Sequence, residues 1–368
     1  MKKIIPIILV NLAVLVALVI VLEFLGQAAF YLKTGRWLFK GEDTEFVAFH
    51  RKLYERHPFL GAVVRSGAAI EYEGKQITIL EDGTRWTGAK ALPGGQIRVA
   101  LLGGSTTFGT QVTDEESWPA QLQEFLGDQY LVKNFGIPGF DSTQSLIQLM
   151  LIVSEYQPHV VVLYTGWNDI AHYHIPGLGP DFSAGGVKQV ETTMNINFYD
   201  YKESFLERFF KTSAWGKFTR ILQSRIMSAS EKNGHQERDD PDPFVDRIYL
   251  RNLSYMVSVA RSFASRPQIL IVPQVLNESR FIASEGSSSW SKYVKNKSMP
   301  ALMKRFNGLL NQACQEGDQQ CRVVNEILEV DWETGDFVDY GHLNAAGGKK
   351  FTGVIGPFIA KGNESPQP

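Results

Sequence analysis

Apolar and polar positions along this chain fall into three regimes. In the first, "IIPIILVNLAVLVALVIVL" from Ile4 to Leu22 carries no charge at all. Its length is close to the ~20 residues a helix needs to cross a bilayer. It exceeds the ~7–15 residue apolar region of a cleavable signal peptide, although "GQAA" at Gly26 to Ala29 offers small residues for a cleavage site. Residues 1–26 therefore read as a membrane anchor, with a signal peptide as the alternative. Lys2 and Lys3 favour a cytoplasmic N-terminus. The remaining chain would then sit on the periplasmic or extracellular side.

The second regime, residues 27–95, mixes aromatic, basic and short apolar positions. From about Gln27 to Phe59 the pattern predicts a helical linker leaving the membrane. Its Tyr31, Trp37 and Phe39 suit either the lipid headgroups or packing against the main domain. "EYEGKQITILEDGTRWTG" follows as a small hairpin region, with Asp82-Gly83 as its turn.

The third regime, residues 96–361, has a strand–helix rhythm. "IRVALL" is an apolar run that stops in glycines, the mark of a buried strand. "TDEESWPAQLQEFLG" predicts a helix, with Thr113 and Glu116 as a capping box and Gly127 as its end. "QYLVKN" is a second strand, "DSTQSLIQLMLIVSEY" a second helix capped by Asp141 with Gln144, and "HVVVLYTG" a third strand. The rhythm breaks over residues 170–243, which read as an insertion of one or two helices with a mobile tip. It resumes with a helix at "FVDRIYLRNLSYMVSVARSFA", a strand at "QILIVPQV", a helix at "PALMKRFNGLLNQACQ", a short strand at "CRVVN" and a last helix from about Asn344 to Ala360. Residues 362–368 read as a disordered tail. The alternation predicts an α/β domain with a mostly parallel sheet and helices on both faces.

Composition changes little in this picture. Of 368 residues 21% are charged and the net charge is −2, so nothing in the balance calls for nucleic acid. The two cysteines, Cys314 and Cys321, have no histidine near them and a spacing unlike a metal site. A disulfide closing a small loop is the preferred reading over two free thiols, and it requires an oxidising compartment.

Chemistry is expected beyond the carboxyl ends of the strands, where open parallel sheets bind ligands. Four separate segments end there or nearby: Gly103-Gly104-Ser105-Thr106-Thr107, Asn134 to Gly139 in "NFGIPG", Gly166-Trp167-Asn168-Asp169, and Asp339 to Asn344 in "DYGHLN". Together they supply the parts of acyl transfer: a nucleophile in Ser105, a base in His342, and in Asp339 an acid to orient it. The N–H groups of Ser105 and Gly139 and the amide of Asn168 can form an oxyanion hole. Taken singly, each has a plainer reading: Ser105 and Asn168 as caps or turns, Gly139 as a turn glycine, His342 as a surface histidine at a helix start. It is the four at one rim that favour catalysis.

These blocks resemble those of the SGNH (GDSL) hydrolase superfamily: Gly104-Ser105, Gly139 within "NFGIPGF", Gly166-x-Asn168-Asp169 and Asp339-x-x-His342. The likeness covers about Arg98 to Gly356. The segment from "HPFLG" to "EDGTRWTG" is similar to the lead-in of a membrane-anchored bacterial branch. One departure is that "GGST" stands where the namesake pattern has Gly-Asp-Ser-Leu. The resemblance implies a three-layer, flavodoxin-like α/β sandwich around a mostly parallel sheet, here preceded by a transmembrane helix. It also implies a Ser105–His342–Asp339 site with Ser105, Gly139 and Asn168 as oxyanion donors, and no metal or organic cofactor.

The expected activity is that of a membrane-anchored serine esterase. Its expected substrate is an acylated carbohydrate, foremost O-acetylated envelope or extracellular polysaccharide. A lipase or lysophospholipase, a polysaccharide O-acetyltransferase, and a binding module that kept the fold are the alternatives. A classical α/β-hydrolase is disfavoured, because Gly-x-Ser-x-Gly is not completed at Thr107. The insertion is expected to cover the site, with Tyr173, Phe182, Phe198 and Tyr199 either against a sugar or acyl chain or in the insertion's own core. His172 and His174 are expected in a solvated or substrate-facing loop, and His159 in a structural role.

Overall fold

The structure is a computed structural model that describes residues 4–35, 37–38, 45–182, 212–219, 221–222, 237–283, 291, 293–314 and 318–361. Phe39, Phe198, Tyr199, most of the insertion and the tail lie outside the described residues. The chain divides into two compact units, Met1–Ala48 with Tyr199–Gln236, and Phe49–Phe198 with Glu237–Pro368.

In the first unit, helix α1 spans Ile4–Thr34. Its Pro6–Thr34 portion is long and apolar enough to cross a membrane. Near its end Glu23 accepts the Ala214 N–H at 2.8 Å, and Gln27 donates to the Thr212 carbonyl at 2.9 Å. Trp37 stacks on Tyr31 with ring centroids 4.9 Å apart.

The second unit is built on a five-stranded parallel sheet in the order β6-β5-β7-β8-β9. Its strands are β5 (Ile97–Gly103), β6 (Tyr130–Asn134), β7 (Val160–Tyr164), β8 (Gln268–Ile271) and β9 (Cys321–Val323). Both faces are covered, as the apolar runs require. Val99 and Leu101 point to one layer, where α4 (Trp118–Leu126) and α9 (Ala345–Lys361) bury Trp118, Leu122, Phe351 and Ile355 against them. Ala100 and Leu102 point to the other, with α5 (Ser142–Gln148), α7 (Pro243–Arg261) and α8 (Met299–Gly308). Cys314 and Cys321, the first residue of β9, are joined as a disulfide with Cα atoms 5.5 Å apart.

Three local expectations change. The linker is not helical to Phe59: α2 (Glu45–Leu53) gives way to a two-stranded ribbon of β1 (Tyr54–His57) and β2 (Gly61–Val64). The hairpin that follows, β3 (Ala69–Tyr72) with β4 (Lys75–Thr78), turns at Glu73-Gly74, while Asp82-Gly83 forms a second tight turn closed by Leu80 N–H to Thr84 O at 2.8 Å. Helix α4 begins at Trp118 and not at Thr113: Ser117 is its cap, accepting from Ala120, and Pro119 fills its first turn. Thr113 keeps one half of the capping box, its N–H donating to Glu116 Oε2 at 3.4 Å, while its hydroxyl pairs with Gln76 and Asp114 accepts the Thr78 N–H.

Candidate active site

All four segments lie where β5, β6 and β7 end, or fold back to them. The single-turn helix α3 (Ser105–Phe108) starts one residue after β5, with Gly104 as its cap. A side chain at Gly104 would bring its Cβ to 2.6 Å from Asn168 Nδ2, so only glycine lets the Ser105 turn and Asn168 come this close. The two threonines after Ser105 anchor the turn. Thr107 Oγ1 donates to Tyr164 O at 2.9 Å, and Thr106 O accepts the Trp118 indole N–H at 2.8 Å.

After β6, Ile137-Pro138-Gly139-Phe140 forms a turn closed by Phe140 N–H to Ile137 O at 3.1 Å. Proline second and a glycine third at φ +87° fit a type II turn, which needs positive φ at that place. After β7, Asn168 sits in α6 (Trp167–Ile170), and its Nδ2 donates to Phe140 O at 2.8 Å. One hydrogen of that amide is spent on the Gly139 turn, and the other remains to donate.

The fourth segment is a tight loop closed by Val338 N–H to His342 O at 2.8 Å and a bridge between Phe337 and Leu343. Asp339 Oδ1 accepts the N–H groups of Gly341 and His342, each at 3.0 Å. Its Oδ2 lies 2.7 Å from His342 Nδ1. The same carboxylate thus builds the loop and aims the ring. Burial opposes its charge, but the His342 hydrogen bond and the two N–H groups outweigh that and hold it well below the usual carboxylate range. An ionised Asp339 only accepts, so Nδ1 carries the proton and Nε2 is the free base. His342 Nε2 lies 2.7 Å from Ser105 Oγ.

Two other groups of residues around the site were not foreseen. Asp169, fully buried, accepts the Ser142 N–H at 3.1 Å and the Ser142 hydroxyl, joining α6 to the start of α5. Burial, then the neighbouring Asp141, pushes its pKa upward. Gln111 Nε2 donates to Asp339 Oδ2 at 3.2 Å. Asp169 stood in the Gly166-x-Asn168-Asp169 block, but its partner Ser142 lies on another element, and Gln111 carried no sequence signal.

Of the two places open to Tyr173 and Phe182, they take the core: both are buried, Tyr173 donates its hydroxyl to Asp246, and Phe182 stacks on His172. His172 is not in a solvated loop: its Nε2 lies 3.1 Å from Asp141 Oδ2 and the residue is buried. The ring of His174 is likewise enclosed, between Asp240 and Asp242. His159 accepts the Arg98 N–H on Nδ1 at 2.9 Å, a structural contact. No group of three or more metal-ligating side chains occurs among the described residues.

The profile of the GDSL-like lipase/acylhydrolase family matches residues 101–350. An acetylxylan esterase of Xylanibacter ruminicola is 35% identical over 104 residues, 25% of this chain and 21% of its own. The chain therefore spans about a fifth of the length of that relative. Among solved structures, a GDSL-like lipase from Bacteroides thetaiotaomicron is 14% identical, with 72% of this chain and 88% of that one covered at a TM-score of 0.39. The acetyl xylan esterase AlAXEase is 14% identical, with 72% and 100% covered at 0.40.

Proposed function

Because the chain belongs to the GDSL-like lipase/acylhydrolase family, a family of ester-cleaving enzymes, we propose that it is a serine hydrolase of carboxylic esters with Ser105 as nucleophile. The observation that carries this reading is the unbroken chain Ser105 Oγ, His342 Nε2, His342 Nδ1, Asp339 Oδ2, with 2.7 Å at each of its two hydrogen bonds. Ser105 Oγ attacks the ester carbonyl while its proton passes to His342 Nε2. Asp339 stabilises the imidazolium and keeps the ring in the right tautomer. The negative charge that develops on the carbonyl oxygen meets the N–H groups of Ser105 and Gly139 and the free hydrogen of Asn168 Nδ2. Collapse of the tetrahedral species expels the alcohol, which takes the proton from His342. Water, activated by the same imidazole, then attacks the acyl-serine and releases the acid.

The substrate proposed is an O-acetyl ester on polysaccharide of the envelope or its surroundings. The relative named acetylxylan esterase supports the acetyl group and the sugar. The apolar helix at Pro6–Thr34 and the Cys314–Cys321 disulfide support an anchored enzyme facing an oxidising compartment. Residues 96–361 with their insertion at 170–243 are proposed as the hydrolase domain. The test is hydrolysis of nitrophenyl esters from acetate to long acyl chains, and acetate release from acetylated xylan, by wild type and Ser105→Ala. Acetate is expected to be the best acyl group, and Ser105→Ala to lose at least ~10³-fold. Preference for long chains would refute the acetyl proposal, and a fully active Ser105→Ala would refute the mechanism.

A further inference from the structure

We propose that Arg85 is a positioning residue for the catalytic site, and that the segment carrying it, Phe49 to Arg85, is a working part of the hydrolase. This rests on the assignment of Ser105, His342 and Asp339 made above. Arg85 lies before the residues the family profile matches, 101–350, in a stretch read from sequence as a lead-in. Its side chain is nevertheless fully buried. The guanidinium is spent on one short loop. Nη1 donates to the carbonyls of Phe108, at 2.9 Å, and of Gly109. Nη2 donates to Val112 O at 2.8 Å, and Nε to Asp114 Oδ1 at 3.2 Å. The planar group also lies over the Phe108 ring, 4.8 Å from its centroid. A buried cation persists only with such partners, and the planar fork of arginine matches several acceptors at once in a way lysine does not.

That loop joins two parts of the site. It begins at the end of α3, whose first residue is Ser105, and the same end is held from the other side by Asn134 Nδ2, 3.2 Å from both Thr107 O and Phe108 O. Arg85 is itself registered to Asn134 by its N–H to Asn134 O at 3.0 Å. Between the arginine's contacts at Gly109 and Val112 lies Gln111, at φ +71°, a left-handed conformation that a non-glycine side chain adopts at a cost. This conformation brings Gln111 Nε2 to 3.2 Å from Asp339 Oδ2. One arginine thus fixes the floor under the nucleophile and the loop that touches the orienting acid. The lead-in is held there by a hydrophobic cluster as well, in which Leu53, Ile70 and Ile77 pack with Phe108, Ile137 and Phe140, residues of the Ser105 helix and the Gly139 turn.

The experiment uses full-length protein in detergent. Active sites are counted by titration with a fluorophosphonate, so that turnover is read per intact site and not per chain. Arg85→Met is expected to lower kcat about 100-fold at a KM within twofold of wild type, because displacing reacting groups by about 1 Å costs that much. Arg85→Lys is expected to recover part of the loss. Arg322→Ala serves as the control: it lies on β9, exposed and paired with Glu326 away from the loop, and it is expected to leave kcat unchanged. Wild-type kcat per titrated site in Arg85→Met overturns the proposal. If that variant does not fold, Gln111→Ala decides: a few-fold drop in kcat supports the proposal, and an unchanged kcat overturns it. A wild type that hydrolyses no ester and takes no fluorophosphonate would overturn the esterase reading, and this one with it.

Discussion

Two of the histidine–aspartate pairs in the second unit, His342 with Asp339 and His172 with Asp141, differ in what surrounds them. His342 and Asp339 are 21% and 24% exposed, while His172 and Asp141 are 5% and 11% exposed. Both rings are oriented by a carboxylate, at 2.7 Å and 3.1 Å. The first ring turns its other nitrogen to the Ser105 hydroxyl. The second is stacked on Phe182 at 4.2 Å, and its Nδ1 has no hydrogen-bond partner among the described residues. Asp141 is meanwhile occupied as the cap of α5, accepting from Thr143 at 2.8 Å and Gln144 at 3.1 Å. A carboxylate that aims an imidazole is therefore common to a catalytic and a structural arrangement. What separates them is a nucleophile on the second nitrogen and access for a substrate.

That contrast can be broken by mutation. The largest effect is expected for Asp339→Asn, which lets the ring adopt the wrong tautomer: kcat should fall by ~10³–10⁴-fold with little change in KM. The mirror change, His172→Ala, should leave kcat per titrated site within about threefold. It should instead lower unfolding stability by about 1–3 kcal/mol, through the lost hydrogen bond and the space left beside Phe182, measured by urea unfolding. If His172→Ala abolished turnover in folded protein, the division between the two pairs would fail.

The smallest effect is on pH dependence. Asp339 is held below its unfolded pKa of about 4, so its contribution to stability is present above that value and lost progressively as pH falls below it. The stability gap between wild type and Asp339→Asn should shrink below about pH 4. Asp169 works in the opposite sense: burial raises its pKa, so its cost grows as pH rises above its unfolded value. Unfolding midpoints of wild type, Asp339→Asn and Asp169→Asn between pH 3 and pH 7 would separate the two.

Much of the sheet was readable because its strands are buried on both faces. Apolar runs marked β5, β7 and β8, and the Asp141–Gln144 capping box marked the start of α5. Helix α4 was misplaced because a local signal was overridden by distant partners: Gln76 takes Thr113, and Thr78 and Arg85 take Asp114. The β1–β2 ribbon was missed because Glu55, Arg56 and His57 break any apolar alternation. At the site, the residues with chemistry of their own were visible as short blocks. Those that act by holding others were not. Arg85, Gln111 and Ser142 become informative only when their partners, 29, 228 and 27 residues away, are brought beside them.

The central claim is that Ser105 is a nucleophile activated by His342. Its most direct test is fluorophosphonate labelling followed by peptide mass mapping, on wild type, Ser105→Ala and His342→Ala. One adduct per chain is expected on the peptide holding Ser105, none in Ser105→Ala, and labelling slowed by orders of magnitude in His342→Ala. An adduct on another residue, or ester hydrolysis that persists with Ser105 unlabelled, would contradict it.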